Sequence, residues 1–297
     1  MSELSKAIRE AFPALEMREN ELLSSHVSFR IGGPAKRILL PESSEELEAL
    51  CALLRRLGEK PLILGNGTNV LPPDEGIDGT VIFTKKAAQV SVDGETVRAD
   101  CGAGVTRVSG LAAEAGLTGL EFAYGIPGTI GGALTMNAGA YGGEMKDVTV
   151  RTEYLDGELR KICVEGAEHD FAYRHSRFTA SDVILRTELR LRMGDREAVK
   201  TRCRELTEKR KASQPLEKPS AGSAFKRPKQ GYAAALIDGC GLKGFRIGGA
   251  QVSEKHAGFV VNLGGATASD VKRLLEEVQK RVLAETGILL EPEIRML

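Results

Sequence analysis

Residues 125–144 read GIPGTIGGALTMNAGAYGGE, with seven glycines in twenty positions. Glycines at this density let backbone N–H groups turn toward an anion, because no Cβ blocks close approach. The segment lacks the Lys-Ser/Thr pair of a P-loop. A second glycine-rich turn, LGNGTNVL, spans Leu64 to Leu71. Small polar residues (Asn66, Thr68, Asn69, Thr129 and Asn137) add side-chain donors around the same ligand. Either loop alone reads equally well as a tight turn at the end of a buried strand. The two together point to one long, doubly charged ligand such as a dinucleotide pyrophosphate.

Anion recognition here has to be local. Lys plus Arg equals Asp plus Glu at 41 each, so no global basic field argues for nucleic acid. A chain of 297 residues is long enough for two or three domains with real cores. The N-terminal MSELSKAIREAF is mixed in charge and lacks the apolar core of a signal peptide. No apolar run reaches transmembrane length. The cysteines (Cys51, Cys101, Cys163, Cys203 and Cys240) are dispersed and odd in number, without CxxC spacing. That pattern predicts a reducing cytoplasm and argues against a zinc site or a disulfide framework. His175 has no metal-ligand spacing to another histidine.

Helical and strand patterns alternate along the chain. Ser43 and Glu46 form a capping-box signature before a stripe of Leu47, Leu50, Cys51, Leu54 and Leu57, stopped by Gly58. Residues 61–64 predict a short buried strand that delivers the first glycine turn. Residues 81–83, 89–92 and 96–99 predict further strands, and 106–115 a short helix. Asp156-Gly157 between strand-like runs at 148–155 and 158–164 is a hairpin signal. Residues 183–192 alternate apolar and charged over their second half, as a half-exposed strand does. The charged, helix-like stretch 195–211 and the Pro-punctuated connector to Ser220 mark a domain change. Residues 258–263 predict a strand. A helix over 268–286 has Thr267 and Asp270 as cap residues and Gly287 as its stop. Residues 288–296 predict a closing strand. The order predicts an α+β fold and not a doubly wound sheet.

Seven strings in order carry a resemblance. RIGGPA (Arg30 to Ala35), LGNGTNVL, the glycine-rich stretch, YRHSRF (Tyr173 to Phe178), PSAGSAFKRP (Pro219 to Pro228), GGAQVSEKHAGFVVN (Gly248 to Asn262) and LEPEIR (Leu290 to Arg295) run from about residue 26 to the end. The sequence resembles the UDP-N-acetylenolpyruvoylglucosamine reductases, flavoproteins of cell-wall precursor synthesis. The resemblance implies a two-subdomain FAD-binding fold of the vanillyl-alcohol-oxidase type, followed by an α+β substrate domain. Residues 1–72, joined by the final strand 291–297, and 73–193 would hold FAD, and residues 205–290 would carry most substrate contacts. It further implies reduction of UDP-N-acetylenolpyruvoylglucosamine to UDP-N-acetylmuramate with FAD and NADPH, by a cytoplasmic monomer with small-molecule partners only. Gly65, Asn66, Gly67, Thr68, Asn69 and Val70, with Gly125, Ile126, Pro127, Gly128, Thr129, Gly131, Gly132 and Asn137, would form the cofactor contacts. The family's longer form inserts a tyrosine-bearing loop shortly after YRxS. The run from Tyr173 to the strand at Val183 leaves no room for it, so the chain resembles the shorter form.

The implied chemistry asks for particular groups. Hydride addition to an enolpyruvyl ether builds negative charge on the carboxylate-bearing side, which a cation and hydrogen-bond donors must meet. The resemblance assigns Arg174 to the substrate carboxylate, Ser223 to protonation of C2, and Glu293 to polarising the carboxylate together with Arg174. A guanidinium suits the first role because it stays charged and binds a carboxylate bidentately. Taken without their motifs, these residues read as a surface ion-pair partner, a turn serine and a solvated carboxylate. Arg210, Gln214, Arg227 and His256 are the expected substrate contacts, and Tyr141 is a candidate to line the flavin or the substrate. Arg227 stands where the family more often has Asn. Two other readings share much of this pattern: another FAD oxidoreductase acting on a small alcohol, and a non-catalytic flavin-binding scaffold. The GSAFKRP and LEPEIR strings disfavour the first, and the presence of Arg174, Ser223 and Glu293 disfavours the second.

Overall fold

A computed structural model describes residues 2–297. The chain forms two compact units interleaved in sequence. One comprises residues 1–19, 36–66 and 79–208, the other 20–35, 67–78 and 209–297. Both mix helix and sheet, so the architecture is α+β as the element order predicts.

The first unit holds most of a four-stranded sheet in the order Glu16–Leu22, Pro34–Leu40, Ile77–Phe83, Leu62–Leu64. Between the second and last of these strands runs the helix Ser44–Arg56. Ser43 Oγ accepts from Glu46 N (3.0 Å), and Glu46 Oε2 accepts from Glu42 N (2.7 Å). Glu45 and Glu46 in the first turn and Arg55 and Arg56 in the last complement the helix dipole. Leu47, Leu50, Cys51 and Leu54 are buried as the stripe predicts. Leu57 is not: it lies past the last turn, 44% exposed, where Gly58 takes φ +72° and ends the helix.

The same unit's larger sheet is antiparallel throughout, in the order Lys161–Glu165, Thr149–Leu155, Val183–Arg190, Thr96–Asp100, Val90–Asp93. The Asp156-Gly157 hairpin forms, but with Leu155 opposite Lys161 its loop is longer than a two-residue turn. Asp156 Oδ1 accepts from both Glu158 N and Arg160 N (2.9 Å each), and the left-handed residue is Leu159 (φ +57°). An Asx turn that satisfies two backbone donors has replaced the tighter one.

In the second unit a four-stranded antiparallel sheet runs Ser220–Ser223, Phe259–Asn262, Ala250–Val252, Arg246–Ile247. The helix Ala268–Thr286 packs on it through Val271, Leu274, Leu275, Val278 and Val282. Thr267 and Asp270 form its capping box, and Gly287 ends it at φ +70°. The RIGGPA segment belongs to this core: Phe29 and Ile31 are buried with the C-terminal helix, and Asn262 Nδ2 donates to Phe29 O (3.1 Å). Residues 288–296 form a continuous strand only in part. Arg295–Met296 pairs in parallel with Val70–Leu71, whereas the preceding stretch makes a single bridge, Phe225 to Pro292. Hydrogen bonds from Glu293 N to Ala224 O and from Lys226 N to Glu291 O flank that bridge, so Pro292 stands in a non-hydrogen-bonded pair where its missing N–H costs nothing. Among the described residues no helix is long and apolar enough to cross a membrane.

Asp74 fastens the segment 67–78 to this unit by accepting from Ala268 N (2.7 Å) and Ser269 N (3.1 Å) at the helix start. Asp74→Ala removes a carboxylate from two orphan donors at a positive helix end, and is expected to cost about 1 kcal/mol. A urea titration should show the lower midpoint. An unchanged midpoint would mean that the Thr267–Asp270 box alone suffices.

Candidate active site

The two glycine loops meet within the first unit. Asn66 Nδ2 donates to Pro127 O (2.8 Å), and a Cβ placed on Gly65 would lie 2.1 Å from Thr129 Oγ1. The long loop is pinned from behind. Val105 N donates to Gly128 O (3.0 Å), Ile130 N to Ala103 O (2.8 Å) and Gly131 N to Cys101 O (2.8 Å). Gly131 backs directly onto Cys101, with its absent Cβ only 3.1 Å from that residue's Cβ. Thr129 is buried and caps the short helix Ile130–Thr135, its hydroxyl accepting from Gly132 N (3.4 Å). Gly125 adopts φ +91°. Gly65 thus has no room for a Cβ and Gly131 little, each packing against the facing protein, so the two loops are held tightly together here.

The first turn straddles the two units. Gly65 and Asn66 belong to one, while Gly67, Thr68, Asn69 and Val70 belong to the other. Asn69 Nδ2 donates to Glu293 O (3.2 Å), and Asn69 O accepts from Arg295 N (3.0 Å). One expected cofactor residue thereby touches the segment that bears an expected catalytic one.

Arg174 lies in the first unit, at the left-handed position (φ +55°) of a tight turn. Ala172 and His175 exchange both backbone hydrogen bonds across it (3.1 Å each). Glycine is the residue expected at such a position, and an L-residue there costs about 1–2 kcal/mol. The Arg174 guanidinium lies 5.1 Å from the Tyr173 ring centroid. Asn137, expected among the cofactor contacts, is fully buried with its amide bonded to protein: Nδ2 to Glu144 Oε2 (2.9 Å) and Ala172 O (3.0 Å), Oδ1 from Lys146 N (2.9 Å). Ser176 Oγ donates to Thr135 O (2.9 Å). Tyr141, 42% exposed at φ +53°, sits at the tip of the hairpin in which Gly139 and Ala140 pair with Glu144 and Gly143.

Ser223 and Glu293 come together in the second unit. Ser223 pairs with Phe259 on one side, after a bulge at which Gly222 takes φ +76°. A bulge of this kind re-aims the following side chain. On the other side Glu293 N donates to Ala224 O (2.9 Å) and Lys226 N to Glu291 O (2.8 Å). Both candidate residues are half-buried. His256 adjoins the same strand pair, its ring 5.0 Å from that of Phe259. Burial, with a contribution from Lys243, pushes its pKa below the ordinary histidine value. Gly258 N donates to Nδ1 (3.2 Å), which leaves Nε2–H as the ring's donor. Arg210 Nη1 donates to Gln214 Oε1 (3.2 Å) at the end of the helix Arg196–Ser213. Arg227 is exposed and stacks on Tyr232 at 4.2 Å. The structure therefore assembles Ser223, His256 and Glu293 in one unit and Arg174 in the other.

Glu144, Lys146 and Ser176, which brace the Arg174 turn, were not among the expected site residues, although Glu144 closes the glycine-rich string and Ser176 lies within YRHSRF. Among the described residues no group of three or more His, Cys, Asp or Glu is arranged to hold a metal.

Residues 35–162 match a family described as FAD binding domain. Residues 214–297 match UDP-N-acetylenolpyruvoylglucosamine reductase, C-terminal domain. The chain is 45% identical over 286 residues to the UDP-N-acetylenolpyruvoylglucosamine reductase of Caldicellulosiruptor bescii, covering 95% of this chain and 91% of that one. It is 43% identical over 297 residues to the Pediococcus pentosaceus enzyme, covering 99% and 98%. A crystal structure of the Thermus caldophilus reductase superposes with a TM-score of 0.79 at 35% identity, covering 95% of this chain and 98% of that one.

The contact between the two glycine loops has a direct test. Gly65→Ala forces a side chain into Thr129 and should yield folded protein with markedly less bound flavin, read as the ratio of visible to ultraviolet absorbance. Undiminished flavin in the variant would mean that the contact between the two loops does not shape the cofactor site.

Proposed function

This chain belongs to the UDP-N-acetylenolpyruvoylglucosamine reductase family, and from that premise we propose how its own residues serve the reaction. The family's work is an FAD-dependent, NADPH-consuming reduction of UDP-N-acetylenolpyruvoylglucosamine to UDP-N-acetylmuramate in peptidoglycan synthesis. Bound FAD supplies the two-electron chemistry that links NADPH to the enolpyruvyl double bond. Gly65 to Val70, Gly125 to Thr129, Gly131 and Gly132 would hold the FAD, within a flavin-holding part of residues 1–72 and 73–193.

Arg174 binds the substrate carboxylate. Its fixed, bidentate charge meets the negative charge that develops beside C2 as C3 is reduced. Glu293 helps polarise that carboxylate, and the Ser223 hydroxyl delivers the proton to C2. The observation that supports this most is the paired backbone of Ala224 and Glu293, which sets the proposed proton donor and acid on adjoining segments. His256, with Nε2–H as donor, and Arg210, Gln214 and Arg227 in the 205–290 substrate domain suit contacts to the sugar nucleotide. Dispersed free thiols support action in the cytoplasm. One chain carries every residue assigned, which supports a monomer.

Purified protein should be yellow, bleach with NADPH under anaerobic conditions, and recolour on adding the enolpyruvyl sugar nucleotide but not simple ketones, and simple alcohols should not bleach the oxidised protein. Recolouring by ketones, bleaching by alcohols, or no recolouring by the sugar nucleotide would refute the assignment. Arg174→Lys and Arg174→Ala should both slow that recolouring more than the bleaching, since only the second half-reaction develops enolate charge. Equal loss in both would make Arg174 a structural residue. Ser223→Ala should slow recolouring by about 10²–10⁴-fold while leaving flavin content near normal. Recolouring at the wild-type rate would remove Ser223 from the mechanism.

A further inference from the structure

Arg174 occupies a backbone position that arginine does not favour, so something must hold it there. The turn is fastened at both ends by buried side chains. Ser176, 5% exposed, ties the exit to Thr135 O, and Asn137, 0% exposed, ties the entry at Ala172 O. Asn137 is itself in the left-handed region (φ +39°) and donates its second amide hydrogen to Glu144. Burial would raise the Glu144 pKa. Hydrogen bonds from Lys146 and Asn137, aided by the positive charges of Lys146 and Arg174, outweigh it and hold that pKa below the ordinary value. Lys146 closes the arrangement twice, donating N–H to Asn137 Oδ1 and placing Nζ 2.9 Å from Glu144 Oε2. An amide whose oxygen and both hydrogens are committed to protein partners has little left for a ligand.

We propose that Asn137 is a positioning residue for the substrate-carboxylate clamp: through Ala172 O and Glu144 it holds the turn from which Arg174 acts, and it is not a cofactor contact. The inference rests on the reading of Arg174 given above. Asparagine suits the role because it donates to a carbonyl and a carboxylate while accepting a backbone N–H, and it tolerates a positive φ. Aspartate in its place keeps the shape and the acceptor but loses both donors and sets a second carboxylate against Glu144.

Asn137→Asp, Arg174→Ala and the double variant test this in anaerobic stopped-flow measurements of the two half-reactions, with flavin content and melting temperature measured on the same samples. Asn137→Gly, which suits the positive φ and adds no charge, replaces Asn137→Asp if the latter fails to fold. The Asn137 variant should keep wild-type flavin content and slow substrate-driven recolouring by about 10–100-fold, the scale typical of residues that orient a primary ligand. Bleaching by NADPH should fall less. In the Arg174→Ala background the Asn137 change should add less than about twofold, because both changes remove the same contact. Lost flavin with wild-type recolouring of the loaded fraction would make Asn137 a cofactor residue. Equal slowing of both half-reactions, or full additivity with Arg174→Ala, would make it merely structural, and either result overturns the proposal. If Arg174→Ala alone recolours at the wild-type rate, the Arg174 assignment itself fails and the inference falls with it.

Discussion

The backbone of residues 128–131 is stitched to residues 101–105 by three hydrogen bonds, from Val105 N, Ile130 N and Gly131 N. A glycine-rich segment loses much conformational entropy when it is ordered, and an irregular buried backbone must still pair its polar groups. Stitching to the end of the Thr96–Asp100 strand and the start of the Val105–Glu114 helix meets both demands. Cys101 and Ala103 are buried in the main core of that unit, so the loop inherits the rigidity of the sheet. The contact of Gly65 with Thr129, the reach of Asn66 to Pro127 O and the bracing of the Arg174 turn all start from a loop fixed in this way.

The second unit solves a related problem with different means. Ser223 follows Gly222, whose left-handed backbone lies at the irregularity in this strand's pairing with Phe259–Asn262. The C-terminal segment bonds across the Phe225–Pro292 bridge through Glu293 N and Lys226 N and then passes to Val70–Leu71, so Glu293 lies where the segment changes partners. Ser223 and Glu293 are thereby half-buried on adjoining segments. Asn69 links the first glycine turn to this segment through the Glu293 carbonyl.

Legibility in the sequence followed the range of the interaction. The caps at Ser43 and Thr267 and the stop at Gly287 depend on neighbours within a turn, and they stand as expected. The burial of Phe29 with the C-terminal helix depends on Asn262, 233 residues away, and nothing local announces it. Backbone conformation at the site was legible only where glycine marked it. Tyr141 and Arg174 take positive φ without being glycine or asparagine, so no turn rule points to them. Motif resemblance selected Arg174, Ser223 and Glu293, but side-chain identity could not separate a ligand contact from a brace. Asn137, with its polar atoms turned inward, is where that distinction matters most.

The central claim is that C3 is reduced while Ser223 protonates C2 of the same double bond. The most direct measurement is turnover in deuterated solvent with unlabelled NADPH, followed by nuclear magnetic resonance of the product under conditions where hydride transfer outruns exchange at the flavin. The account predicts one deuterium at C2, in a single configuration, and none at C3. Deuterium at C3 with protium at C2, or mixed configuration at C2, would contradict it.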